Sequence, residues 1–473
     1  MPVAPFYRPD PRILDLGPEF VDAVEPAGFP QQTLRYSNQR WAAPVGLASL
    51  GAEEWRRAFA AFEPLPDNLQ QPLALRYHGH QFRSYNPEIG DGRGFLYAQL
   101  REHGTGRLLD LGTKGSGQTP YSRFGDGRLT LKGGVREVLA TEMLEALGVP
   151  TSKSFALFET GEALTRGDEP SPTRSSVLTR LSWSHIRFGT FQRLAYFDRA
   201  DLIGRLIDHV VELYYPELSS ADGEGRAAAL LAAVVARTAN LVARWMAAGF
   251  VHGVLNTDNM NINGESFDYG PYRFLPRNDP NFTAAHFDQT GLYAFGRQPG
   301  AVFWNLQQLA SCLTLVSSPE PLVEALNTFS AAYRDALRIA MLARLGLQPR
   351  EAEEDVELVN AAFSALAEGG EALRWEPFFF DWFCGEEARA LQGPRAWIYG
   401  GEAFADFRQR LAAYTPDRSE RLQAAYFHET EPEELLYDQI EALWAAIADH
   451  DDWRPFERKV ERIGAAREAW ALS

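Results

Sequence analysis

Asn259 and Asp268 are hard oxygen donors of the kind a divalent cation needs when it holds phosphates. Asn259 closes the run His252-Gly253-Val254-Leu255-Asn256-Thr257-Asp258-Asn259, and Asp268 follows in Phe267-Asp268-Tyr269-Gly270. Such an ion takes one or two ligands from protein and the rest from phosphate and water. Asp258, beside Asn259, is a carboxylate that could orient or deprotonate a hydroxyl nucleophile. Upstream, Lys114 ends a strand in Asp110-Leu111-Gly112-Thr113-Lys114-Gly115-Ser116-Gly117, and Glu137 flanks the apolar stripe of the next helix. An ion pair between them would aim the lysine at phosphate. Gly90-Asp91-Gly92-Arg93-Gly94 is a glycine-rich turn whose backbone N–H groups could approach phosphate, with Arg93 inside it. Arg180 and Arg187 could form a clamp, because guanidinium groups bind phosphate oxygens two at a time. In isolation Asp258 reads as a loop-capping residue, Lys114, Glu137, Arg180 and Arg187 as surface charges, and the turn as a plain turn. Their order along the chain joins them.

That order resembles a protein kinase, which carries H-R-D-L-x-x-x-N and then D-F-G. His252 and Asn259 keep the His-to-Asn spacing, and Asp268-Tyr269-Gly270 stands for D-F-G. The Lys114–Glu137 pair would copy the strand-lysine to helix-glutamate pair of kinases. The position of the kinase base, two residues after the histidine, holds Val254. Valine accepts no proton, so ordinary phosphoryl transfer lacks its usual base there. No GxxxxGK[ST] loop and no GxSxG elbow occurs, which argues against a P-loop enzyme and a serine hydrolase.

The elements that must position these groups follow from periodicity. Residues 95–100 and 107–111 read as two strands joined by a turn at His103-Gly104-Thr105-Gly106. A helix is predicted over 134–147, with Val135, Val138, Leu139, Met143 and Leu147 on one face. Strands are expected at 154–158 and 176–183. Helices are expected at 47–62, 198–214, 225–249, 304–316 and 322–345, with further helices beyond about 350. The fold class is α+β. The acidic runs 351–357 and 429–434 read as solvated faces. His78, His80 and His185 lack a third metal partner and read as structural, and the aromatic run 375–383 reads as packing.

Composition narrows the partners. A net charge of −17 argues against a general nucleic-acid binder. The apolar stretch 227–250 is interrupted by Arg237, Asn240 and Arg244, each expensive in lipid, so it reads as a buried helix rather than a membrane span. Two cysteines without a CxxC pair argue against a thiolate zinc site and against a disulfide framework. With no charged-then-apolar leader, a cytoplasmic chain is expected.

Across residues 76–310 the chain resembles the SelO (YdiU) family. The matching stretches are Gly79-His80-Gln81-Phe82, Asn86-Pro87, Gly90-Asp91-Gly92-Arg93, Lys114-Gly115-Ser116-Gly117 and Thr119-Pro120-Tyr121-Ser122-Arg123. They continue through Gly125-Asp126-Gly127-Arg128, Arg136-Glu137, Ser184-His185-Ile186-Arg187-Phe188-Gly189-Thr190-Phe191, the His252 to Met260 run, Asp268-Tyr269-Gly270-Pro271, Gln298-Pro299 and Trp304-Asn305-Leu306. The resemblance implies a kinase-like bilobal fold that holds ATP inverted, so that the α-phosphate faces a Ser, Thr or Tyr hydroxyl of a protein substrate. The products would be AMP-protein and pyrophosphate. Asp258 would accept the proton, and Asn259 and Asp268 would hold Mg²⁺ or Mn²⁺. Gly90, Gly92, Arg93, Lys114, Asp126, Gly127, Arg180, Arg187 and Asp268 would bind the nucleotide, with Glu137 holding Lys114. The expected layout is an N-terminal extension at 1–75, a strand-rich lobe at 76–195, a helical lobe at 196–350 and a helical extension at 351–473. A monomer is expected, with no nucleic-acid or membrane partner. The chain departs from the family at its end, Trp470-Ala471-Leu472-Ser473, where many members carry a Ser-(Cys or selenocysteine)-Ser-Ser tail, and the 281–288 segment has no cysteine. Both departures put redox gating in doubt. An atypical kinase using Asp258 as base and a non-catalytic nucleotide-binding scaffold remain the competing readings, and UTP competes with ATP as donor.

Overall fold

The computed structural model describes residues 1, 3–167, 169–220 and 223–472. Its strands are β1 (Val21–Ala23), β2 (Thr33–Ser37), β3 (Leu73–Leu75), β4 (Gly79–Gln81), β5 (Ser84–Asn86), β6 (Leu96–Arg101), β7 (Leu108–Lys114), β8 (Leu129–Thr130), β9 (Lys153–Leu164), β10 (Thr173–Ser182), β11 (Phe250–Val251) and β12 (Arg273–Phe274). Eight of them form one antiparallel sheet in the order β1-β3-β6-β7-β10-β9-β2, with β8 also on β10. The central strand β7 is buried at every position. Its sequence, LLDLGTK, is therefore apolar on one face and tightly partnered on the other.

The helix Leu131–Ala146 lies against β9 and β10. It starts three residues before its apolar periodicity suggests, because the Thr130 side chain caps it by accepting from the Gly133 N–H. Three glutamates, Glu137, Glu142 and Glu145, are buried along it. The last two are held from both ends of the chain. Arg40 and Trp41 meet Glu145, and Arg467 of the helix Arg454–Trp470 meets Glu142 at 2.7 Å.

After β10 the chain turns helical, which confirms the α+β class. The expected helix 322–345 is two helices, Pro319–Asn327 and Phe329–Leu345, meeting at Thr328. The expected helix 304–316 is Gln298–Leu313, with Pro299 in the first turn, where its missing N–H leaves no bond unmade. The helix expected at 47–62 is confined to Ala52–Phe59. The helix Gly225–Ala247 is long and apolar enough to cross a bilayer by length and composition, yet it packs on Phe329–Leu345, Pro319–Asn327 and Gln298–Leu313 as a core element. A second apolar core gathers Trp375, Phe378, Phe379, Phe380, Trp382 and Phe383. The acidic runs are not wholly solvated. Asp355, Glu433 and Glu434 are buried, because Arg338, Arg374, Lys459 and Arg462 pair with them. Cys312 and Cys384 are both free and buried.

Candidate active site

A cavity of about 700 Å³ opens between β7, β10 and the loop that follows β11, a size that suits a nucleotide-sized ligand. The short pair β11–β12 clips together the two ends of the 252–272 segment. Within it, the buried His252 ring faces the Phe267 carbonyl at 3.2 Å. Burial lowers the His252 pKa, so the ring stays neutral as a strut.

Lys114 lies at the end of β7, and its Nζ donates to Glu137 Oε2 and Asp268 Oδ1, each at 2.6 Å. From β10, Arg180 Nη1 lies 3.4 Å from the same two carboxylates. Two cations and two carboxylates thus form a closed ring. Arg187 adds a third cation. It donates to the Asp258 carbonyl at 3.0 Å and to Asp91 Oδ1 at 3.2 Å, and sits 3.8 Å from Asp268 Oδ2. The rings of Tyr77 and Phe267 flank its guanidinium at 4.3 and 4.9 Å. Arg180 and Arg187, which taken singly would read as surface groups, are 4% and 3% exposed. Each keeps a buried Nε without a partner.

Asp268 takes positive φ, at 65°. Burial acts to raise its pKa, but Lys114, Arg180 and Arg187 overcome this and hold the carboxyl well below the usual range. Asp258 is the opposite case. Burial pushes it up to about 7, with Arg187 opposing and Asp268 adding to the rise. Its Oδ1 is buried without a hydrogen-bond partner.

Of the residues singled out from sequence, Gly90, Gly92, Arg93, Lys114, Asp126, Gly127, Arg180, Arg187, Asp258 and Asp268 all line this cavity. Glu137 stands behind Lys114. Asn259 is not among the lining residues. It sits on the same turn as Asp258, Thr257–Asn259, and its Nδ2 donates to the Val254 carbonyl at 3.0 Å. That bond engages the amide's nitrogen, so the oxygen is the atom a hard cation would meet. Among the described residues no group of three or more His, Cys, Asp or Glu could hold a metal alone. An amide oxygen from Asn259 and a carboxylate from Asp268 are the donor types that a Mg²⁺-like ion takes when phosphate and water complete its shell.

The glycine-rich turn has a packing reason as well. A Cβ on Gly90 would meet the Tyr121 ring at 2.5 Å, and one on Gly92 the Tyr121 carbonyl oxygen at 2.9 Å. The turn and the 119–126 loop are thus pressed together. Asp126 is engaged at the rim, accepting from Arg166 at 2.8 and 3.0 Å and from the Arg128 N–H at 2.9 Å.

A family profile described as "Protein adenylyltransferase SelO" matches residues 6–464. The chain belongs to the SelO family. A relative named protein nucleotidyltransferase YdiU, from Synechocystis sp., is 44% identical over 478 residues, covering 96% of this chain and 97% of its own. Proteins of the same name from Gloeobacter violaceus and Trichormus variabilis are 46% and 42% identical, covering 98% and 96% of this chain and 96% and 95% of theirs.

In this SelO chain several residues at the site escape sequence reasoning. Asp91, inside the glycine-rich turn, anchors Arg187 and accepts from the Leu75 N–H at 3.0 Å. Gly79 packs directly on Asp258, since a Cβ there would lie 2.8 Å from Oδ1. The β4–β5 hairpin latches the SelO loop through the His80 N–H to Thr257 Oγ1 at 2.7 Å and the Phe82 N–H to Asn256 Oδ1 at 3.0 Å. Asp91 and Gly79 lie inside motifs visible in the sequence. Tyr77 and Arg166 carry no such signal, because only the fold brings them to the cavity.

Proposed function

We propose that this chain transfers AMP from ATP to Ser, Thr or Tyr hydroxyls of protein substrates and releases pyrophosphate, with UTP as a further candidate donor. The observation that carries the reading is Asp258. Its carboxyl lines the cavity with an unpartnered oxygen and a pKa raised to about 7, while the usual kinase base position is Val254. A general base works best when its pKa lies near the working pH. In this reading the substrate hydroxyl oxygen attacks the α-phosphorus and its proton passes to Asp258. The bond from the α-phosphorus to the oxygen bridging it to the β-phosphate breaks, and pyrophosphate leaves. Lys114, Arg180 and Arg187 bind phosphate oxygens, with Glu137 restraining Lys114. Gly90, Gly92, Arg93, Asp126 and Gly127 complete the nucleotide's walls. Asn259 and Asp268 would hold Mg²⁺ or Mn²⁺, which when bound offsets phosphate charge. The sheet with its helix is read as the upper lobe of a kinase-like pair and the helices after 195 as the lower, with 1–75 and 351–473 as extensions. The chain is read as a cytoplasmic monomer.

The description of the matching family profile, a protein adenylyltransferase, and the name of the relatives, protein nucleotidyltransferase, support this chemistry. Incubation with protein substrate and ATP labelled at the α- or γ-phosphate tests it. Retention of the α label alone is expected. Retention of γ alone would mean a kinase, and retention of neither a scaffold. Asp268→Ala should remove all labelling, and persistence of full labelling would overturn the proposed role of Asp268.

A further inference from the structure

The three polar residues that interrupt the apolar core helix, Arg237, Asn240 and Arg244, are spaced three and four apart and fall on one helical face. The proposed reaction gives them no task. All three line a second cavity, of about 540 Å³, which shares no lining residue with the first. Its other walls include the end of β10, the 148–153 connection, the turn Asn263-Gly264-Glu265, and Trp41, Arg107, Leu109, Glu145 and Leu472.

Three of its lining residues, Ser182, Arg237 and Asn263, carry buried side-chain atoms without partners. Asn263 is 2% exposed, and both its amide nitrogen and its amide oxygen lack a hydrogen bond. Ser182, 1% exposed, also has an unpartnered hydroxyl. Arg237 is fixed by the Tyr215 and Trp183 rings, 3.7 and 4.8 Å from its guanidinium, and by the Tyr214 carbonyl at 2.9 Å from Nη2. Its Nη1 is buried and unpartnered. Leaving such groups unsatisfied costs about 1–3 kcal/mol each, so their gathering at one cavity points to a ligand that satisfies them.

The chemistry of that ligand follows from the walls. A side-chain amide offering donor and acceptor together matches the donor–acceptor edge of a purine, as asparagine does when it reads adenine. The lining carries four cations, Arg107, Lys153, Arg237 and Arg244, against two carboxylates, Glu145 and Glu265. Arg107 and Arg237 also touch Glu102 and Glu217, which lie outside the lining. Counting those partners the charges along the walls balance, so a phosphate monoester would be held by the directed N–H donors of Arg237 and Arg244 rather than by a net surplus. The volume is in the range of small-ligand sites.

We propose that this back cavity is a second binding site, separate from the catalytic cleft, for a purine nucleoside monophosphate, with Asn263 and Ser182 reading the base and Arg237 receiving the phosphate. The two cavities share backbone. β10 presents Arg180 to the cleft and Ser182 to the back cavity, and only four residues lie between Asn263 and Asp268.

Calorimetry with AMP on the full chain tests this. The variant Lys114→Met/Arg180→Met/Arg187→Met/Asp268→Asn removes the three cations proposed to grip phosphate in the cleft and should still bind one AMP. Adding Asn263→Asp, which keeps the shape, or Arg237→Gln should weaken that binding about tenfold or more. Adenosine and inorganic phosphate, each tested alone, should bind at least about tenfold more weakly than AMP. Absence of AMP binding to the cleft-silenced chain would overturn the proposal. So would binding that survives both back-cavity substitutions, or adenosine or phosphate binding as tightly as AMP. A thermal melt confirms that each variant is folded. In the otherwise wild-type chain, Asn263→Asp and Arg237→Gln should leave α-label transfer without added AMP unchanged, so the failure of one reading is distinguishable from the failure of the other.

Discussion

Asp258 is a carboxyl kept at the site against its own solvation. Folding raises its pKa from 3.8 to about 7. Between these values the unfolded chain releases a proton that the folded chain retains, so stability falls as pH rises through the window. At about 1.4 kcal/mol per pKa unit, the full penalty is on the order of 4 kcal/mol above neutrality. In metal-free protein, Asp258→Asn should therefore be more stable than wild type by on the order of 2–4 kcal/mol at about pH 8 and close to it near pH 4, while losing transfer activity. Urea titrations at the two pH values check the sign. Gly79→Ala should act on the same group from behind. Its methyl would displace Asp258, lowering kcat about tenfold or more with little change in nucleotide affinity, as steady-state kinetics would show. The roles proposed for Asp258 and Asp268 were legible from residue type and order alone. Gly79's contact with Asp258 was not, because 179 positions separate the two and no periodicity links them.

The helix Leu131–Ala146 shows what the elements contribute. Its inner residue Glu137 restrains Lys114, and its buried Glu142 and Glu145 are gripped by Arg40, Lys153 and Arg467. Burial alone would raise Glu145, yet Lys153, Arg40 and Arg467 bring it down to about 2. Its contribution is thus present above its unfolded pKa of 4.5 and is lost as pH falls towards 2. Arg467→Ala strips one cation from this pair of acids and should cost about 2–4 kcal/mol at neutral pH, measured by denaturant unfolding. A loss below about 0.5 kcal/mol would show that Arg40 and Lys153 suffice. The helix itself was readable from its apolar face. Its first turn was not, because the stripe begins inside the helix, and the Thr130 cap that starts it is a local hydrogen bond rather than a pattern. In the same way, the acidic character of 429–434 was visible, whereas its burial depends on Arg374, Lys459 and Arg462 arriving from elsewhere.

At the scale of the whole molecule, the sheet draws β1, β2 and β3 from the first 75 residues and the remaining strands from 96–182, while the helix Arg454–Trp470 returns to brace the one that carries Glu137. The mixed class was legible because strand-type and helix-type patterns occupy different halves of the chain. The return of the C-terminal helix was not, since helical periodicity says which face is apolar and nothing about where that face docks. The same packing has a practical result. Burial pushes both thiols up to about 12, so the native protein should take up no maleimide and both cysteines should react after denaturation, as intact mass would record. Phe124, fully exposed at the mouth of the first cavity, then offers a place for a fluorophore on an otherwise silent chain. A dye on Phe124→Cys would report nucleotide arrival in real time, with no native cysteine to be removed first.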